Sequence, residues 1–205
     1  MSPPDQPLRA RHLDPDPLAQ FASWYAEARD RDVPQYDAVA LATAAPSGAP
    51  SLRMVLLKAF DERGFAFLTN YGSRKALELE ANPRAALLFH WQPLGRQVRI
   101  EGPVVRVERR EVEVHARRRS RGAQLSALAS PQSRPVPGRD WLLERVQELA
   151  RRHTGDELPV GADWGGFRLA PEAYEFWQHN ADRLHDRFRY LAADAGGWTI
   201  ERLGP

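Results

Sequence analysis

Apolar residues recur at helical spacing from residue 17 onward. Asp16 suits a cap, Pro17 suits a first helical position, and Leu18, Phe21, Ala22, Tyr25 and Ala28 fall on one face. This helix is expected to end near Asp32, ahead of Pro34. The period then changes to that of strands. Residues 38–43 and 51–60 read as two strands of a hairpin turned at Pro46-Ser47-Gly48. Asp61-Glu62-Arg63-Gly64 predicts a second turn, and 65–69 a third strand. A short helix opens with Ser73 as a plausible cap and runs through Glu80, until Asn82-Pro83 stops it. Residues 85–91 and 96–107 are again strand-like, the second with a bulge expected at Gly102-Pro103.

From 108 to 153 the pattern is helical, interrupted by a loop over 130–138, and Trp141, Leu142, Val146, Leu149 and Ala150 form one apolar stripe. Strands return at 164–169, 174–178 and near 198–202. The strand pairs lack the regular helix alternation of a doubly wound sheet, and no solenoid period is present. The expected fold is mainly β with inserted helices (α+β), an antiparallel Greek-key-like barrel. Residues 16–205 should form one domain with a helical insertion at about 108–153, and residues 1–15, rich in proline and charge, should be mobile.

Composition narrows the chemistry. Of 205 residues, 42% are hydrophobic and 27% charged, enough for a sizeable core. Twenty-nine basic side chains against 27 acidic ones leave a formal charge of +2, a weak reason to expect a nucleic-acid partner. The absence of cysteine removes disulfides, zinc–thiolate sites, iron–sulfur clusters and thiol nucleophiles. The first residues show no leader pattern and no stretch approaches the ~20 apolar residues of a membrane span, so a cytoplasmic protein is expected.

Several cations stand where they need an explanation. Arg53 and Lys58 have opposite parity on their predicted strand, so they should leave opposite faces; alone, they read equally as solvated strand ends. Arg74 and Lys75 open a helix, where cations oppose the macrodipole unless an anion sits between them; a phosphate monoester suits that place, and a solvated first turn is the plain alternative. The run Arg117-Arg118-Arg119-Ser120-Arg121-Gly122 lacks the interleaved aromatics of a nucleic-acid patch and reads better as a solvated helix end with one functional arginine. Arg183, His185 and Arg187 alternate and would share one face of an extended strand, with His185 able to transfer protons or simply structural. No G-x-S-x-G, H-E-x-x-H, G-x-G-x-x-G or P-loop occurs.

Arg53-Met54-Val55-Leu56-Leu57-Lys58, Thr69-Asn70-Tyr71-Gly72-Ser73-Arg74-Lys75, Gln97-Val98, Gln132-Ser133, Trp164-Gly165-Gly166-Phe167-Arg168, Glu175-Phe176-Trp177-Gln178 and Arg183-Leu184-His185-Asp186-Arg187 occur in this order. With the ending Arg202-Leu203-Gly204-Pro205, the chain from about Asp16 onward resembles the pyridoxamine 5'-phosphate oxidases. Each motif is short, but the joint order is specific. The resemblance implies an FMN-binding split β-barrel homodimer, with FMN at the subunit interface. Such an enzyme would oxidise pyridoxamine or pyridoxine 5'-phosphate, both vitamin B6 phosphates, to pyridoxal 5'-phosphate. Dioxygen would be the acceptor and hydrogen peroxide the product. It implies FMN contacts by Arg53, Met54, Val55, Leu56, Leu57, Lys58, Leu68, Thr69, Arg74, Lys75, Gln97, Gln132, Ser133, Trp177 and Arg187, with Gln132 and Ser133 coming from the partner chain. Lys58 and Arg119 would hold the substrate phosphate, and Arg183 and His185 would lie over the substrate ring and reacting carbon.

Three departures stand out. Where the family usually has a tyrosine and a serine beside the substrate phosphate, this chain has His115 and Ala123; His115 can replace one donor, Ala123 none. In place of an N-terminal arm with an arginine and a tyrosine, the chain offers Arg9, Arg11 and His12, so a lid is expected to be absent or different. These differences keep open an FMN-dependent oxidase of the same fold acting on another substrate, as in phenazine biosynthesis, which the retained Lys58 disfavours. A non-catalytic flavin- or pyridoxal-phosphate-binding protein is a third reading, disfavoured by Arg183 and His185.

Overall fold

The computed structural model describes residues 7–155, 157–193 and 196–205. Its strands are β1 (Ala38–Ala44), β2 (Pro50–Asp61), β3 (Gly64–Asn70), β4 (Arg84–Trp91), β5 (Arg96–Arg106), β6 (Trp164–Leu169), β7 (Ala173–Gln178), β8 (Asp186–Ala192) and β9 (Trp198–Leu203). In the order β4-β1-β2-β3-β6-β5 they close into a six-stranded antiparallel barrel through β4–β5 pairing, and β7, β8 and β9 continue the sheet from β5. Closure pairs the strand edges that otherwise invite aggregation, except where β2 and β3 part. The α+β barrel expected from the strand pattern is therefore present, in the split form that the resemblance implied.

Two places split the barrel. Along one edge, β5 pairs β7 over residues 96–101 and β6 over 104–106. Gly102 sits at the switch, where a Cβ would lie 1.9 Å from the Ala170 carbonyl oxygen. The bulge expected at Gly102-Pro103 is thus a change of partner, with the β4 register continuous through it. The register irregularity lies instead in β2, between Leu57 and Ala59. There β2 pairs β3 only from Leu57 onward, while its residues 50–56 pair only β1. The two strands separate on the N-terminal side of Leu57 in β2, and a cavity opens between them.

Helix α1 (Pro17–Asp30) starts as expected, with the Asp16 carboxylate accepting from the Leu18 N–H at 2.9 Å. It places Phe21 against the barrel core, where its ring lies 5.0, 4.8 and 4.9 Å from Phe60, Phe65 and Phe89. Trp24, 5.3 Å from Phe176, ties the same helix to β7. Burying each such ring contributes roughly 1.5–3 kcal/mol. The short helix α2 (Arg74–Ala81) follows β3, and the helical insertion comprises α3 (Arg109–Arg117), α4 (Arg121–Ala129) and α5 (Arg139–Arg152). Val112 of α3 is buried with Ala66 and Val107, and Arg168, itself 5% exposed, bonds Glu111 of α3 at 2.6 Å and Asp61 at 3.0 Å.

The N-terminal expectation needs correction. Residues 1–6 lie outside the described residues, but 7–15 pack on the barrel: Leu8 and Leu13 are buried, the Leu8 N–H donates to Asp186 at 2.9 Å, and Tyr190 Oη donates to the Asp14 carbonyl at 2.8 Å. Two apolar side chains among the prolines and charges suffice to anchor the segment. Arg11 and His12 occupy a single 3-10 turn there and remain exposed.

Candidate active site

The separation of β2 from β3 creates a cavity of about 740 Å³, within the range of small-molecule sites. Its wall includes Arg53, Met54, Val55, Leu56, Lys58, Leu68, Thr69, Arg74, Lys75, His115, Arg119, Gln132 and Ser133. Burial alternates along β2 as its pleat requires, with Arg53, Val55 and Leu57 more enclosed than Met54, Leu56 and Lys58. Arg53 and Lys58 do leave opposite faces, yet both reach the cavity because the unpaired edge of β2 borders it. Leu57 turns into the core, at 5% exposure, and Ala123 does not line the wall; its N–H is instead capped by the Ser120 hydroxyl.

Gln132 and Ser133 require a correction. They were expected from a partner chain, but the loop carrying them folds onto the β3–α2 junction of the same chain. Gln132 Oε1 accepts from Lys75 Nζ at 3.1 Å and from Thr69 Oγ1 at 3.2 Å. Such a fold-back depends on long-range contacts that local sequence does not show.

The cations at the start of α2 are balanced from within. Ser73 occupies the N-cap position without a capping hydrogen bond. Arg74 Nε donates to Glu78 Oε1 at 2.8 Å, one turn along the helix. Burial lowers the pKa of Lys75, and Arg53 nearby lowers it further. Burial by itself raises the Glu78 pKa, but hydrogen bonds from Ser51, Thr43, Arg74 and Arg53 outweigh it and hold the carboxyl at about 2.

On the α3 side, burial pushes His115 below its ordinary pKa; Glu111 opposes this, and Arg118, Lys58 and Arg168 add to it. The Arg119 guanidinium stacks over the Trp164 ring at 4.7 Å, and both Arg119 Nη1 and Trp164 Nε1 are buried without a partner among the described residues. A buried guanidinium nitrogen without an acceptor calls for an anionic or carbonyl ligand. Sequence reasoning missed Ser51, Leu52, Arg118 and Trp164 as wall residues. The arginine cluster pointed toward Arg118; nothing local pointed to Trp164.

Gln97, Trp177, Arg183, His185 and Arg187 are not part of this wall. Gln97 of β5 stands opposite Trp177 of β7, which stands opposite Arg187 of β8, so the three form a row across the outer sheet. Glu175, itself buried, accepts from Arg187 Nε at 2.9 Å, and Arg187 Nη1 donates to the Gly204 carbonyl at 2.8 Å. The His185 ring lies 4.7 Å from that of Trp177. The expectation that Arg183, His185 and Arg187 share a strand face is incorrect: β8 begins at Asp186, and Arg183 sits in a 3-10 turn with φ 60°. Asp186 breaks the run because its carboxylate turns inward, to Asn180, Leu8 and Arg202. Strand β8 itself was missing from the strands read from the pattern. Among the described residues, no helix is long and apolar enough to cross a membrane.

Comparison with known proteins accords with this geometry. Residues 26–153 match the family model described as pyridoxamine 5'-phosphate oxidase, and residues 164–205 match the pyridoxine 5'-phosphate oxidase C-terminal dimerisation region. The pyridoxine/pyridoxamine 5'-phosphate oxidase of Rubrobacter xylanophilus is 51% identical over 94% of this chain and 88% of its own length. That of Salinibacter ruber is 50% identical over 97% of this chain and 93% of its own. Among solved structures, PhzG from Burkholderia lata 383 in complex with tetrahydrophenazine-1-carboxylic acid superposes with a TM-score of 0.91 at 32% identity, covering 100% of both chains. A Nostoc punctiforme FMN-binding protein related to pyridoxamine 5'-phosphate oxidase shares the fold, with a TM-score of 0.73 at 18% identity over 91% of this chain and 97% of its own. The chain belongs to the pyridoxamine 5'-phosphate oxidase family of oxidoreductases.

Proposed function

We propose that the protein oxidises pyridoxamine and pyridoxine 5'-phosphates to pyridoxal 5'-phosphate, with FMN as cofactor and O2 as electron acceptor, as a cytoplasmic homodimer. The observation that carries this reading is one cavity walled by two cationic groups, Arg53, Arg74 and Lys75 on one hand and Lys58 and Arg119, beside His115, on the other. Two phosphates, one of cofactor and one of substrate, match two such groups. The cavity fits a flavin in donor chemistry as well as in size. Its guanidinium and ammonium groups suit the phosphate, the amide of Gln132 suits ring heteroatoms, and the unpartnered Nη1 of Arg119 suits a further anion.

Bound FMN would supply the redox step: two electrons and two protons, one from the substrate carbon and one from its amine or hydroxyl group, would pass by way of the flavin to O2 and give H2O2. For the amine, water is consumed and ammonia released. The chain's own residues position and charge-match. Arg53, Arg74 and Lys75 would hold the cofactor phosphate, with Thr69, Gln132 and Ser133 beside them. Lys58 and Arg119 would hold that of the substrate, with His115 as a further donor. Arg183 and His185 would orient the substrate ring.

The dimer follows from the half-sites. Gln97, Trp177 and Arg187 form a row away from the cavity, and Leu52, Met54 and Leu56 expose an apolar strip on β2 at 69%, 62% and 46%. A second copy that covers the strip and brings its own row to the cavity completes the site.

The test is a purification followed by a turnover assay. A yellow dimer that releases peroxide with pyridoxamine 5'-phosphate is the expected outcome. A yellow protein without turnover on either vitamin B6 phosphate, its flavin still reduced by dithionite and reoxidised by air, would favour a different substrate for the same fold. The likeness to PhzG makes a reduced phenazine precursor the compound to try in that event.

A further inference from the structure

Glu78 is a carboxylate only 6% exposed, set among the cations of the cavity, and the oxidase reading assigns it no role. Its Oε1 accepts from Arg74 Nε at 2.8 Å. Its Oε2 accepts from Thr43 Oγ1 and Ser51 Oγ, each at 2.5 Å, and from Arg53 Nη2 at 3.2 Å. Arg53 is fixed further, with Nη1 donating to Thr43 Oγ1 at 2.6 Å and to the Leu41 carbonyl at 3.2 Å. One side chain of α2 thereby joins the strands β1 and β2 to the helix start.

We propose that Glu78 is a positioning residue for a bound phosphate: it holds the guanidiniums of Arg53 and Arg74 side by side before the ligand arrives. The inference rests on the FMN reading above. Two guanidiniums and the Lys75 ammonium repel one another, and long arginine side chains lose rotamer freedom when they are fixed. A single carboxylate between the arginines offsets the repulsion and takes up that ordering in the unliganded protein. Arg74 uses only Nε for the purpose, so its two terminal nitrogens stay out of that bond. A carboxylate is required. An amide in its place would set an N–H₂ or a lone acceptor against the three donors Thr43, Ser51 and Arg53 that now converge on Oε2.

The test compares two flavins that differ only in the phosphate. Apoprotein of the wild type and of Glu78→Gln is titrated with FMN and with riboflavin, following flavin fluorescence. The wild type should prefer FMN, and Glu78→Gln should lose about tenfold in FMN affinity but less than about twofold in riboflavin affinity. An equal loss for both flavins would mean a general structural role and overturn the proposal. Unchanged or tighter FMN binding would also overturn it, the latter because the carboxylate then merely repels the phosphate. Should Glu78→Gln not fold, Thr43→Val, which removes one hydroxyl from the carboxylate and one acceptor from Arg53, carries the same test with an expected loss of about threefold for FMN alone. A wild type that binds FMN no better than riboflavin would remove the FMN reading itself, and this inference with it.

Discussion

The backbone N–H of Asn180 donates to Nδ1 of His185 at 3.2 Å, so the neutral imidazole carries its proton on Nε2. The ring is thereby presented as a donor at its outer nitrogen. Glutamine can place an N–H₂ near the Nε2 position, whereas asparagine reaches only as far as Nδ1. His185→Gln should therefore keep several-fold more kcat than His185→Asn, about 1 kcal/mol of retained hydrogen bond, with flavin content equal in the two. Steady-state kinetics at matched flavin loading check this; equal activities would assign His185 to proton abstraction or to packing.

Arg183 is exposed, on a turn at φ 60° outside the cavity wall. Arg183→Ala should leave FMN bound and lower kcat/KM by about a hundredfold if, as proposed, the residue orients substrate and does not hold cofactor. Flavin absorbance after gel filtration together with peroxide release separates the two effects. Loss of flavin with normal activity of the remaining holoenzyme would reverse the assignment.

His115 lines the cavity and Ala123 does not, so the two departures from the family pattern should have unequal effects. His115→Ala is expected to raise KM for pyridoxamine 5'-phosphate by about 2- to 12-fold with kcat little changed, one neutral hydrogen bond being worth about 0.5–1.5 kcal/mol in ground and transition states alike. Ala123→Ser should alter KM by less than about twofold. Michaelis curves for the two single variants decide the matter.

Glu78 also sets an acid limit on stability. Its pKa is lowered on folding from the usual 4.5 to about 2, so its stabilisation is fully present above pH 4.5 and is lost as pH falls toward 2. The shift corresponds to roughly 3 kcal/mol. Urea unfolding of the apoprotein from pH 5 to 2.5 should show a steeper loss of stability in the wild type than in Glu78→Gln. Parallel curves would place the acid sensitivity elsewhere.

Phe21 is fully buried against Phe60, Phe65 and Phe89, at the point where α1 meets the barrel. Phe21→Ala should cost about 3–5 kcal/mol, and Phe21→Leu, which keeps most of the volume, much less. Chemical denaturation gives both values.

The local pattern was sufficient for the helix at Asp16-Pro17, the hairpin around Pro46-Ser47-Gly48 and the helical insertion with its loop near 130–138, because caps, turns and periodicity act over a few residues. It was not sufficient for the break between α3 and α4. The order of short motifs sufficed for the family. Strand β8 was less legible, because Asp186 breaks its apolar alternation and only its long-range bonds to Leu8 and Arg202 explain the inward turn. Tertiary structure decided how the site is assembled. That β2 parts from β3 at Leu57, that Gln132 folds back to Lys75 within one chain, and that Gln97, Trp177 and Arg187 align across three strands all depend on contacts between residues distant in sequence. Glu78 shows the division most clearly. In the sequence it is one of two similar acids on a polar helix, and only the packing of α2 against β1 and β2 makes it the common acceptor of Thr43, Ser51, Arg53 and Arg74.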